Sequence, residues 1–241
     1  MQTWASDDGA QLEKGPAVLP AGNGTVYQAV WCATARPAED SESTPGSAID
    51  QGIRNRTTVF MRGLRERIEL RTNSGISWQW RRIVFTMKGS AIHMDSFNPG
   101  TSLVARETSE GMVRMFSQSQ TVTDRVVDIV FRGTNQQDWS NHFIAPVDRT
   151  KVTVISDTSR VIQSGNNSGV FRMYKPYYRF NKNLVYQDEE VGDHTTAGMF
   201  SVTSKSGMGD CYVYDLFYPN GGTSSDTMSV DIEASLFWSE K

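Results

Sequence analysis

The sequence predicts an all-β protein, a sandwich of about eight antiparallel strands joined by long loops. Three observations predict it. Gly, Ser, Thr and Asn recur at short intervals and long helical patterns are missing. Several segments alternate apolar and polar residues with period two. The 241 residues, 38% hydrophobic and 10% aromatic, suffice for one large packed domain, because single all-β domains reach about 250 residues. A charged fraction of 21% is too low for a disordered chain.

Taken in order, residues 1–50 look irregular. Pro16, Pro20, Pro37 and Pro45 interrupt them, and Glu39-Asp40-Ser41-Glu42-Ser43 reads as a solvated acidic patch. Val26 to Trp31 is a candidate strand. The rest reads as an arm or extended loop, so residues 1–55 are assigned to an N-terminal extension and 56–241 to the folded domain. In Val59 to Arg71 the residues Phe60, Leu64, Ile68 and Leu70 share one parity, against Arg65, Arg67, Glu69 and Arg71 on the other. That is a half-buried strand with one charged face. After the turn Thr72-Asn73-Ser74-Gly75, Trp78 to Lys88 forms a second strand, with Ile83, Phe85 and Met87 inward and Trp78, Trp80 and Arg82 opposite. The two strands form a hairpin or cross between sheets; both connections fit.

Val113 to Phe116 and Val126 to Arg132 are further strands. Lys151 to Ile155 and Arg160 to Gln163 flank Ser156-Asp157-Thr158-Ser159, which looks like a hairpin turn. Val170 to Phe180 contains Pro176 and is an edge or bent strand. Cys211 to Tyr218 closes on Met228 to Trp238, where Met228, Val230, Ile232, Ala234 and Leu236 alternate with Ser229, Asp231, Glu233 and Ser235. About eight strands with irregular spacing and long loops suit a jelly roll better than a meander.

The two cysteines, Cys32 and Cys211, are too few and too far apart for a disulfide framework. Both read as reduced residues in small apolar sites of an intracellular protein. Met1 to Pro20 hold no apolar run of signal-peptide length, and no segment is long enough to span a membrane. Charge is uneven. Residues 50–90 carry nine basic groups against three acidic ones, +6, which leaves −9 for the remainder of a chain whose net charge is −3. One face is thus expected to meet a polyanion.

Signatures of enzyme chemistry are missing: no GxSxG, P-loop, HExxH or strand-linked GxGxxG. His93, His142 and His194 stand apart from one another and from the cysteines, which gives no zinc spacing. Asp188-Glu189-Glu190 with Asp193 and His194 lacks EF-hand spacing and reads as a solvated acidic loop. No enzyme activity, cofactor or metal is expected.

The pair Thr58-Val59-Phe60-Met61-Arg62-Gly63-Leu64-Arg65-Glu66-Arg67 and Trp78-Gln79-Trp80-Arg81-Arg82-Ile83 resembles the coat proteins of genomoviruses, relatives of the geminiviruses. So do Asp138-Trp139 with Ala145-Pro146-Val147-Asp148, Ser164-Gly165-Asn166-Asn167-Ser168-Gly169, and Asn181-Lys182-Asn183-Leu184-Val185-Tyr186. Ser201 to Asp210 and the terminal Phe237-Trp238-Ser239-Glu240-Lys241 complete the series, over roughly residues 55–241. The resemblance implies a viral jelly roll and an icosahedral homo-oligomeric shell, with a prior for the smallest arrangement of about 60 copies. It further implies a circular single-stranded DNA genome, a place in the virion, and assembly in the host nucleus. Such proteins begin with an Arg-rich arm that serves nuclear import. None is seen before Thr3-Trp4, so a basic arm ahead of this segment is expected.

On this reading Trp78, Trp80, Arg81 and Arg82 combine ring faces and guanidinium groups of the kind that bind single strands, with Arg54, Arg56, Arg62 and Lys88 as further DNA contacts. A core and ion-pair role is the alternative for the Trp-Arg cluster. Arg62, Arg65, Arg67 and Arg71 have two open roles, facing the genome or forming ion pairs across a subunit interface. The alternative function is a jelly-roll carbohydrate-binding or attachment module, which would stack sugars on surface aromatics beside Asp or Asn rather than on nine cations.

Overall fold

A computed structural model describes residues 1–5, 13–22, 24–38, 52–93, 104–108, 111–116, 120–192, 194–196 and 198–240. Their strands are β1 (Thr3–Ala5), β2 (Glu13–Lys14), β3 (Ala17–Pro20), β4 (Tyr27–Cys32), β5 (Thr58–Thr72), β6 (Trp78–Met87), β7 (Arg106–Thr108) and β8 (Gly111–Met115). After the helix α1 (Gln120–Val130) come β9 (Thr153–Ile162), β10 (Phe171–Tyr174), β11 (Tyr177–Val185), β12 (Glu189–Val191), β13 (His194–Thr196), β14 (Asp210–Pro219) and β15 (Thr227–Ser239).

Nine of these strands build an all-β sandwich. Sheet I has the order β3-β15-β5, with β10 and β11 end to end along the free edge of β5; sheet II has the order β4-β14-β6-β9. The pairing is nested. β3 pairs with β15, β4 with β14, β5 with β11, and β6 with β9, all antiparallel. First joins last and second joins second-last, the order that arises when one long hairpin is rolled into two facing sheets, as in a jelly roll. β5 and β6 are consecutive but lie in opposite sheets, so their connection crosses the sandwich.

Sequence pattern explains the layers. From Leu64 onward β5 buries its even residues and exposes Arg65, Arg67 and Arg71. Sheet I therefore has one inner and one outer face. β6 and β14 are buried on both sides and mostly apolar, with Arg81, Arg82 and Asp215 held in ion pairs. Inside the sandwich Val59, Met61 and Leu64 meet Val84 and Val213, and Ile68, Leu70 and Val230 meet Trp78, Trp80 and Phe217. On its other side sheet II packs Ile83, Phe85, Tyr212 and Tyr214 against Val122, Val126 and Val130 of α1. A helix and loops thus cover sheet II, while the outer face of sheet I carries no such layer among the described residues.

Several expectations are corrected. Val126 to Arg132 is not a strand: Val122, Val126 and Val130 recur every fourth residue, the spacing of one helix face. Ser156-Asp157-Thr158-Ser159 does not turn but runs through β9, because it has no Gly, Pro or Asn and Asp157 accepts two hydrogen bonds from Arg81. Phe60 lies on the outward parity. Gly63 pairs with Phe237 and Met61 with Trp238, so Arg62 is an extra residue in a bulge and the strand changes face there. Residues 1–55 are not a separate extension, since β3 and β4 are edge strands of the two sheets and Met1 to Thr3 continue along β15, where Thr3 Oγ1 both donates to and accepts from Ile232. The acidic patch at 39–43 lies outside the described residues.

Candidate nucleic-acid interface

The Trp-Arg cluster on β6 is interior, which corrects the DNA-contact expectation for Trp78, Trp80, Arg81 and Arg82. All four are buried. Trp78 and Trp80 fill the space between the sheets, and the Trp80 ring stacks on Phe217 at 5.9 Å. Arg82 points into the same interior. It donates two hydrogen bonds of 2.7 Å to Asp215 on the neighbouring β14 and one of 2.7 Å across the sandwich to Glu66 on β5. Arg114, delivered by β8, hydrogen-bonds the other oxygen of Glu66 and lies over the Trp31 ring at 4.1 Å. Trp80 Nε1 donates to Asp215 at 2.9 Å. Two cations and two carboxylates are thereby matched inside an apolar layer. Burial alone would raise the Asp215 pKa, but Arg82 holds it below the usual carboxylate range.

Arg81 faces the opposite side of sheet II. It clamps Asp157 with hydrogen bonds of 3.0 and 2.7 Å and donates to the carbonyls of His142 and Ala145, tying the helical layer to the sheet. Arg54 is also buried rather than free for DNA. It makes a bidentate pair with Asp188 at 2.6 and 2.5 Å and lies 4.1 Å over the Tyr186 ring. Burial opposes the Asp188 charge, yet the hydrogen bonds from Arg54 hold its pKa low. Asp188 is therefore an anchor, not part of a solvated loop. His93, expected in a loop, stacks on Phe200 at 3.8 Å and meets Tyr212 Oη at 2.8 Å; burial lowers its pKa to about 4.

Arg56 and Arg62 are exposed, and Lys88 hydrogen-bonds the Lys205 carbonyl. Of these, Arg62 lies beside a larger feature, the outer face of sheet I. Register places its rows. Arg179, Gly63 and Phe237 share one row; Tyr177, Arg65 and Ser235 the next; Arg67 and Glu233 the third. Met173, Glu69 and Asp231 follow, then Phe171, Arg71, Ser229 and Val18. Seven large hydrophobic side chains are notably exposed among the described residues, and five of them (Val18, Phe171, Met173, Tyr177 and Phe237) lie on this one face. Clustering of that kind marks an interaction surface.

Charge on the face is graded. Arg71 pairs with Glu69, and burial with the neighbouring Glu69 and Glu233 raises the Asp231 pKa. Arg62, Arg65, Arg67 and Arg179 make no ion pair among the described residues. Arg65 lies 5.2 Å over the Phe237 ring. A cavity of about 220 Å³ opens between Arg65, Arg67, Glu233 and Ser235. Tyr177 reaches over Gly63, where an added Cβ would come within 2.7 Å of its hydroxyl. Tyr177, Arg179 and Phe237 were not identified as candidate contact residues by sequence. The signal was present in the parity of β15, which sets Phe237 in line with Ser235 and Glu233, but it needs the pairing with β5 to become a site.

Among the described residues, no helix is long and apolar enough to cross a membrane, and no group of three or more His, Cys, Asp or Glu could hold a metal ion. Comparison with protein-family models and with curated proteins gives no match.

Proposed function

We propose that this chain is the coat protein of a small single-stranded DNA virus, a structural subunit that assembles into a closed icosahedral shell around the genome. The observation that carries the reading is the nested pairing of eight strands in two facing sheets, with one sheet covered by a helical layer and the other bare among the described residues. Such a subunit is a plate with two chemically different faces, which suits a shell that must present one surface to solvent and another to its contents. The motif series resembling genomovirus coat proteins supports the same reading and supplies the nature of the genome, the virion location and assembly in the host nucleus. A sugar-binding module on this fold is disfavoured by the four unpaired arginines beside the exposed rings.

Negative-stain electron microscopy with absorbance at 260 nm tests it. Uniform closed particles are the expected result. A strictly monomeric protein in light scattering, across pH and salt, overturns it.

A further inference from the structure

We propose that the bare outer face of sheet I is a binding surface for single-stranded nucleic acid, with phosphates on Arg65, Arg67 and Arg179 and bases on Tyr177 and Phe237. The inference rests on the coat-protein reading only for the strand being a viral genome; the chemistry stands on the face itself.

The cations come first. Guanidinium groups on a solvated sheet usually find carboxylate partners on their own or a neighbouring strand, as Arg71 does with Glu69 two residues away on β5. Among the described residues Arg65, Arg67 and Arg179 do not, though Arg67 sits directly opposite Glu233 in register. Three charges without an ion pair among the described residues, on three successive rows, make a local positive field on a chain whose net charge is −3. Phosphates neutralise such groups and release counterions.

The rings come second. Tyr177 is 50% exposed and Phe237 37%, on the strands flanking Arg65. A duplex offers only its phosphates and groove edges to a flat sheet and leaves those rings unused. A single strand offers base faces, and each stacked base contributes roughly 1–3 kcal/mol. Spacing agrees. Arg65 and Arg67 are two residues apart on one strand, hence roughly 7 Å. That is about twice the ~3.4 Å rise per nucleotide of a stacked strand. If successive phosphates meet the two arginines, the backbone is extended beyond its stacked rise and the bases are free to meet the rings. The cavity between Arg65 and Ser235, at about 220 Å³, is smaller than the roughly 300 Å³ at which pockets for drug-sized ligands begin, so it suits a phosphate or one base rather than a whole ligand. Glu233 at its rim sets the limit of the basic region.

The test is fluorescence anisotropy of a labelled oligothymidylate with the full chain, over a salt series. The double variant Arg65→Ala/Arg67→Ala is expected to bind at least tenfold more weakly, with the log–log salt slope reduced by about 1.4 for two phosphates at ~0.7 each. Tyr177→Ala is expected to bind at least fivefold more weakly with its slope unchanged, because a ring carries no counterion. Arg132→Ala/Arg149→Ala, which removes two exposed arginines outside the sandwich strands, should bind like the parent. Arg65→Lys/Arg67→Lys should keep the parent slope, which separates lost charge from lost folding. Equal binding by the first double variant and its Arg132/Arg149 counterpart overturns the proposal. So does a face variant that binds oligothymidylate normally but no longer oligomerises, since the face is then an interface between copies. Microscopy of the parent protein reports the shell separately: no particles with the predicted binding losses would sink the coat-protein reading and leave the surface standing.

Discussion

Glu66 and Arg82 meet at 2.7 Å in the middle of the sandwich, each from a different sheet and each almost fully buried. Asp215 and Arg114 complete the set, so no charge in it stands alone. Removing one member strands its partners where water cannot reach them. Arg82→Met is expected to cost about 3–5 kcal/mol of stability, read from the urea midpoint, and Glu66→Gln a comparable amount. A loss under about 1 kcal/mol for both would mean that water enters the layer.

Asp210 and His93 give the protein opposing pH responses. Asp210 is buried with hydrogen bonds from Ser201 and Thr34, and burial raises its pKa to about 6. The folded state then holds a proton that the unfolded state has released, so stability falls as pH rises from about 4 to 6. His93, lowered to about 4, acts in reverse: the unfolded state binds the extra proton, so stability falls as pH drops from about 6.5 towards 4. Each is on the order of 3 kcal/mol and they offset each other in the shared window. Asp210→Asn should unmask the His93 response, giving a urea midpoint that climbs steadily between about pH 4 and 6.5. An unchanged profile would refute a raised Asp210.

Gly63 makes room for Tyr177. An added Cβ would come within 2.6 Å of the Tyr178 carbonyl oxygen and 2.7 Å of the Tyr177 hydroxyl. Gly63→Ala should therefore lower the melting temperature, with a cost of roughly 1–3 kcal/mol as for other overpacked sites, and displace the Tyr177 ring. An unaltered melt would show that the bulge at Arg62 absorbs the methyl group.

Cys32 and Cys211 are free and fully buried, and burial raises both thiol pKa values. The native protein should leave a thiol reagent unreacted for hours near neutral pH and release two equivalents on unfolding. Rapid titration of either thiol in the native state would contradict the packing.

From Leu64 onward the alternation in β5 and β15 identified strand, face and charged side, because period two holds until a bulge such as that at Arg62 resets it, which is why the parity of Phe60 predicts the wrong face. What sequence could not supply was partnership. Glu66 stands in sequence among Arg62, Arg65, Arg67 and Arg71, yet its parity turns it inward to Arg82. Trp78, Trp80 and Arg82 carry the residue types of a strand-binding site, and those same types also fill a core when a carboxylate from another strand is at hand. Asp215 is that carboxylate, and its position beside Arg82 depends on a pairing between residues 133 positions apart. The helix was missed because Val126 to Phe131 is rich in β-branched residues, and only Val122 reveals the four-residue spacing.

The nested pairing has a consequence for the order of folding. β14 lies between β4 and β6, and β15 between β3 and β5, so the inner strand of each sheet comes from residues 210–239. Until a ribosome has delivered them, both sheets are split and their longest strands present open edges. Contacts this distant along the chain make folding slow, and open edges invite association with other nascent chains. Productive folding accordingly waits for residues 210–239, and a chaperone that shields β5 and β6 during synthesis should raise the soluble yield.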